Sequence, residues 1–261
     1  MNHPLLLLLM TAGGLYVAWL WFRDRRVARR GPPAAQALPG ATDAPWRATF
    51  IAVAGALLLL AVETFGENAL GLSAQQSSMT WLFGLYSVVA APVIEEIIFR
   101  GYLVVEGRGP RGLWTGVVCA SVGFAALHPF LWRWDDAGFA LTLTAKGWLS
   151  TAVVFATSLW LYAARFAPWN PRRSLLPCFA AHSGKNLGVL VIKHAQGFVS
   201  GWFKAGKFRA LRKLPPERHR CRHRCRSRWP CTCRAAASPA SPSPCCPPAA
   251  QRHRRESRPR R

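Results

Sequence analysis

Apolar and polar positions alternate along this chain in long blocks. Six runs are mostly apolar: Leu5–Phe22, Ala48–Phe65, Trp81–Phe99, Leu113–Trp132, Phe139–Ala164 and Leu175–Ile192. Each is close to the roughly 20 residues a helix needs to cross a hydrocarbon core about 30 Å thick. None shows strand-like alternation, no internal repeat is visible, and in lipid only helices or a closed barrel satisfy the backbone. The pattern predicts an all-α fold, a multi-pass transmembrane helical bundle of about six spans.

The first run is not a secretory signal peptide, which carries its positive charges before the apolar core. Here only His3 precedes the run, and Arg23, Arg25, Arg26, Arg29 and Arg30 follow it. That order predicts a retained span with its N-terminus outside. Alternation then places the connections 23–47, 100–112 and 165–174 in the cytoplasm, and they hold Arg47, Arg100, Arg108, Arg111, Arg165, Arg172 and Arg173. The outer connections 66–80 and 133–138 hold Arg133 against Glu67, Asp135 and Asp136. Positive residues fall inside, as the insertion rule requires. The expected location is a bacterial inner membrane. Gly31–Pro45, rich in Pro, Ala and Gly, reads as a flexible linker.

Composition divides the chain at about residue 203. Half of all residues are apolar (51%), yet the formal charge is +23, and residues 1–203 hold only 16 of the 34 Lys and Arg against 9 of the 11 Asp and Glu. Residues 204–261 are mostly Arg, Pro, Cys, Ser, Ala and His with no apolar periodicity, a composition that buries no core. The organisation expected is therefore 1–45 for the first span and linker, 46–203 for a membrane core, and 204–261 for a basic tail, read as an out-of-frame translation. His219, Cys221, His223, Cys225, Cys231 and Cys233 match no standard zinc spacing. Cys119 and Cys178, isolated in apolar runs, indicate no disulfide framework. Nucleic acid is not expected as a partner.

Ionisable groups inside spans are costly and are functional candidates by default. Span three ends Ala91-Pro92-Val93-Ile94-Glu95-Glu96-Ile97-Ile98-Phe99-Arg100, span four holds Phe124 and His128, and span six holds His182-Ser183-Gly184-Lys185-Asn186. Glu96 and Arg100 are four apart and share a helix face; Glu95 points about 100° away. His182 and Asn186 also share a face. A single such pair would read as polar glue between helices; two carboxylates, two histidines, an asparagine and an arginine in three spans point to chemistry. Glu95 and Glu96 fall at the inner end of span three and His182 near the inner end of span six. His128 falls near the outer end of span four, unless that helix starts deep or is broken or displaced at Pro129.

Glu95-Glu96-x-x-x-Arg100, Phe124-x-x-x-His128 and His182-x-x-x-Asn186 resemble, in order and placement, the three motifs of the CAAX prenyl endopeptidase and bacteriocin-processing (CPBP, ABI) family. The resemblance spans about Trp81 to Ile192. It implies an intramembrane endopeptidase that uses no metal or other cofactor and opens toward the cytoplasm. Glu95 and His128 would hold and activate a water, with Glu95 as general base; His182 and Asn186 would donate to the oxyanion; Arg100 would orient Glu96. The implied partners are a peptide or protein substrate, prenylated in some members, and membrane lipid. The competing readings are a zinc-dependent protease, which would lack the H-E-x-x-H pattern, a non-proteolytic scaffold or immunity protein of the same fold, and a proton-relaying transporter.

Overall fold

The computed structural model describes residues 4–32, 35–135 and 138–202; the tail from Lys204, with its Cys and His residues, lies outside them. The described residues form α1 (Pro4–Ala28), α2 (Trp46–Ala69), α3 (Trp81–Val89), α4 (Ala91–Glu96), a π-helical turn (Ile97–Tyr102), α5 (Gly109–Leu127), α6 (Ala145–Phe166) and α7 (Leu176–Ala195). The fold is a helical membrane bundle. Four stretches are long and apolar enough to cross a bilayer: Pro4–Ala28, Trp46–Ala69, Trp81–Tyr102 and Ala145–Phe166. α5 and α7 are not among them, and α7 carries His182, Lys185, Asn186 and Lys193. Many large apolar side chains face outward, Phe50, Leu58 and Phe65 among them. This is the surface expected where the surroundings are lipid rather than water.

Side-chain pairings fix the direction of each pass. Gly14 of α1 lies so close to α3 and α4 that a Cβ there would meet Ala90 Cβ at 2.6 Å, and Leu7 clusters with Leu82 and Tyr86, so α1 and α3 run parallel. Gly184 and Gly188 of α7 face Val53 and Leu60 of α2; those two are parallel as well. Ser121 of α5 meets Ser158 of α6, while a Cβ on Gly147 would meet the Phe130 carbonyl, so α5 and α6 are antiparallel. Each pass thus runs opposite to the one before. Small residues allow this close approach, as is usual for helices packed in membranes. Gly55 shows it best, since a Cβ there would overlap Trp160, whose Nε1 donates to Ala52 O at 2.8 Å.

Three expectations are corrected. The run Trp81–Phe99 is not one helix: Pro92 has no N–H and its ring disfavours a helical carbonyl four residues back, so α3 stops at Val89 and α4 starts at Ala91. The boundaries of spans four and five also move. α5 ends at Leu127 rather than Trp132, because Pro129 forces the residue before it into extended backbone, and His128 sits at φ −79, ψ 125. The chain returns to α6 through an antiparallel hairpin of β2 (Trp132–Asp135) and β3 (Gly138–Leu141). A second pair, β1 (Met79–Thr80) and β4 (Val199–Ser200), is parallel. The sequence showed no strand because these pieces, four residues or fewer, are too short to display alternation.

The stretch after Gly31 is not a free linker where it is described. Trp21 Nε1 donates to Pro39 O at 3.1 Å, Ser174 Oγ to Thr42 O at 2.6 Å, and Arg25 and Arg29 both pair with Asp43. Pro39 lies beside Gly101 of the π-helical turn. The segment is a strap across the end of the bundle that carries most of the arginines among the described residues.

Candidate active site

The break at Ala90 sets the first element of the site. The last carbonyls of a helix have no partner within it, and the one on Ser87 accepts from Asn186 Nδ2 of α7 at 2.7 Å. This bond ties α7 to the end of α3. Immediately beyond, α4 presents Glu95 and Glu96 toward α7 from adjacent positions.

Glu96 is fully buried and is the hub. Its Oε1 accepts from Arg100 Nη1 at 3.1 Å and lies 2.8 Å from His182 Nδ1. The pair four residues apart survives the switch to π-helical backbone, in which Leu103 N donates to Ile98 O five residues back. An ionised carboxylate only accepts, so His182 donates from Nδ1 and turns Nε2 toward Glu95. Glu95 Oε2 is 3.8 Å from that Nε2, beyond hydrogen-bond reach. The Glu95 side chain is 29% exposed, against 0% for Glu96. Its Oε2 accepts no hydrogen bond from the described residues. The two adjacent glutamates therefore differ sharply: one is locked, the other opens.

His128 reaches the same place from α5. From the level at which Ser121 meets Ser158, α6 runs back 13 residues to its start, about 20 Å, while α5 ends after six, about 9 Å. Ending the helix early leaves His128 partway down the bundle instead of at its outer rim. Its Nδ1 lies 2.8 Å from Phe124 O; a carbonyl can only accept, so Nδ1 bears the hydrogen and Nε2 is left as an acceptor. The charges of Glu95, His182 and Lys185 all act on it. Phe124 packs against three members of the site: its ring centroid is 4.8 Å from His128, 6.3 Å from His182 and 4.5 Å from the Arg100 guanidinium.

All six residues picked out in the sequence thus lie on the facing surfaces of α4, the π-helical turn, α5 and α7. Sequence reasoning missed their supports. Ser158 accepts from Arg100 Nη2 at 2.8 Å, Tyr162 Oη donates to Phe99 O at 2.6 Å, and Glu63 of α2 pairs with Lys185 at 3.2 Å. Glu63 and Lys185 carried a visible signal, since both are charges inside apolar runs. Ser158 and Tyr162 carried none, because hydroxyl residues are common in such helices. Among the described residues, no three His, Cys, Asp or Glu side chains are arranged to hold a metal ion.

A comparison against known families matches the part of the chain that carries these motifs. Residues 77–188 match the family described as Rce1-like, type II CAAX prenyl endopeptidase. That segment starts before α3 and ends within α7, so it contains all six candidate residues. Type II CAAX prenyl endopeptidases are thus what this segment is similar to. No curated protein and no solved structure matches the chain.

Proposed function

We propose that the Rce1-like segment hydrolyses a peptide bond with a water activated by Glu95. The observation that carries this reading is the contrast between the glutamates. Glu96 is fully buried and its Oε1 is committed to Arg100 and His182, whereas Glu95 Oε2 has no donor among the described residues, lies 3.8 Å from His182 Nε2, and belongs to a side chain that is 29% exposed. Glu96 Oε2 lacks a donor as well, but on a fully enclosed side chain, so Glu95 is the carboxylate that water and substrate can reach. His128 Nε2, the acceptor nitrogen, would share that water with Glu95.

His182 and Asn186 would serve the oxyanion. Asn186 spends one Nδ2 hydrogen on Ser87 O and keeps a second. His182 spends its Nδ1 hydrogen on Glu96, which leaves Nε2 as the ring nitrogen turned toward Glu95 and the reacting carbonyl. Oriented donors of this kind act where charge develops and need no reorganisation during the step. The organisation proposed is a protease core over 46–203, with the strap beside it. The end carrying Arg25, Arg29, Arg172 and Arg173 would face the cytoplasm, and the substrate would enter from that side. Lipid modification of the substrate belongs to this proposal as well.

The test is single-turnover cleavage of a CAAX peptide by the purified chain in detergent. Glu95→Gln should abolish turnover and leave the melting temperature within a few degrees of wild type. Substantial turnover by a well-folded Glu95→Gln protein would transfer the lead to a non-proteolytic scaffold.

A further inference from the structure

Glu96 holds the Arg100 guanidinium at one corner only. The second corner, Nη2, donates to Ser158 Oγ at 2.8 Å, and Ser158 in turn donates to Ser121 Oγ at 2.9 Å. Arg100, Ser158 and Ser121 are all fully buried. Arg100 Nε has no partner among the described residues. The rings of Phe124 and Tyr162 flank the guanidinium at 4.5 and 5.1 Å. They hold it between two faces but do not fix its rotation within them. That rotation is set by the contacts at Nη1 and Nη2.

The direction of each hydrogen follows from the chemistry. A guanidinium has donors and no acceptor, so Ser158 must offer a lone pair to Nη2. Its single hydrogen then points to Ser121, which thereby fixes the orientation of the hydroxyl. At the other end, Glu96 Oε1 is shared by Arg100 and His182. Any swivel of the guanidinium moves the one oxygen that holds the imidazole.

Resting on the catalytic reading above, we propose that Ser158, backed by Ser121, is a positioning residue: it fixes Arg100, and through Glu96 sets where His182 Nε2 points. Ser158 lies on α6, which contributes none of the six candidate catalytic side chains. A hydroxyl pair that merely glued α5 to α6 would affect stability alone. A positioning pair moves turnover, because small misplacements of catalytic groups weigh heavily on rate.

The experiment measures kcat, KM and melting temperature for the full chain in detergent with a fluorogenic peptide ending in a farnesylated CAAX sequence. Ser158→Ala should lower kcat by about 10- to 100-fold with KM within about twofold. Ser158→Thr, which keeps the hydroxyl, should restore most of it. Ser121→Ala should give a smaller fall, and the double Ala variant should be no slower than Ser158→Ala, since both act on one chain of bonds. Wild-type kcat in Ser158→Ala, or a loss that follows the melting temperature and is not rescued by Thr, overturns the proposal. If Ser158→Ala does not fold, Ser121→Ala decides by the same split between kcat and KM. If Glu95→Gln turns over normally, this inference and the catalytic reading fall together. If Glu95→Gln is inert and Ser158→Ala is as fast as wild type, only the serine inference falls.

Discussion

Adjacent in the chain, Glu95 and Glu96 end in different surroundings, and replacing each should fail differently. Glu96→Gln strands the fully buried Arg100 charge, and breaking a buried pair by removing one partner costs about 3–5 kcal/mol. Its melting temperature should drop together with its rate, whereas Glu95→Gln loses rate alone. Asn186→Ala should sit between them. It removes the oxyanion donor proposed above, a loss of about 10²–10³ in turnover for such groups, and also frees Ser87 O at the end of α3. Single-turnover rates beside melting curves for the three variants separate these outcomes; equal melting temperatures for Glu96→Gln and Glu95→Gln would contradict the distinction. The candidate residues were legible in the sequence because charge inside an apolar run is conspicuous. Their division of labour was legible only in part. Spacing puts Arg100 over Glu96, but nothing in it says that His182 joins the same oxygen or that Asn186 gives one hydrogen to Ser87.

At the scale of elements, two prolines do what the hydropathy pattern could not show. Hydropathy merges α3, α4 and the π-helical turn into one run and extends span four to Trp132. Pro92 splits the first, and Pro129 ends α5 just before His128. Averaged hydropathy is blind to both, since a proline hardly alters the mean but removes a donor and restricts its neighbour. Pro129→Ala should let α5 continue through His128, carrying the ring away from Phe124 O. Turnover should fall about 100-fold, while helical content by circular dichroism stays level or rises. Full activity in this variant would mean that the end of α5 does not set the site. The strap shows the opposite lesson: a Pro- and Gly-rich stretch reads as loose, yet Asp43 anchors it through Arg25 and Arg29. The Arg29 hydrogen bond, foremost among its contacts, holds the Asp43 carboxyl below its usual range. That anchoring is complete above the ordinary Asp range and fades as pH falls through the lower native value.

Over the whole molecule, the alternating direction of passes gathers one end around Arg25, Arg29, Arg172 and Arg173. The loop before α5 should therefore face the cytoplasm; a cysteine placed near Gly109 should resist impermeant labelling in intact cells and react after lysis. Efficient labelling before lysis would reverse the orientation. The arginine counts predict which loops face the cytoplasm because insertion acts on flanking charge over short loops. The packing of α2 against α7 is not readable that way, since neither helix announces its partner. That contact bears on how the chain is assembled. α7 is not apolar enough by composition to count among the spanning helices, and its Lys185 is buried against Glu63 of α2. Glu63 is synthesised long before Lys185, so α2 enters the bilayer with an uncompensated carboxyl that waits for the final helix. Glu96, by contrast, already has Arg100 in its own stretch and gains only its His182 contact at that point. Until α7 docks, the Glu63 ion pair is unfinished, and completion of the candidate site coincides with the step that relieves it. A ribosome that stops before Leu176 releases a chain that lacks both His182 and the partner of Glu63, two defects with one cause.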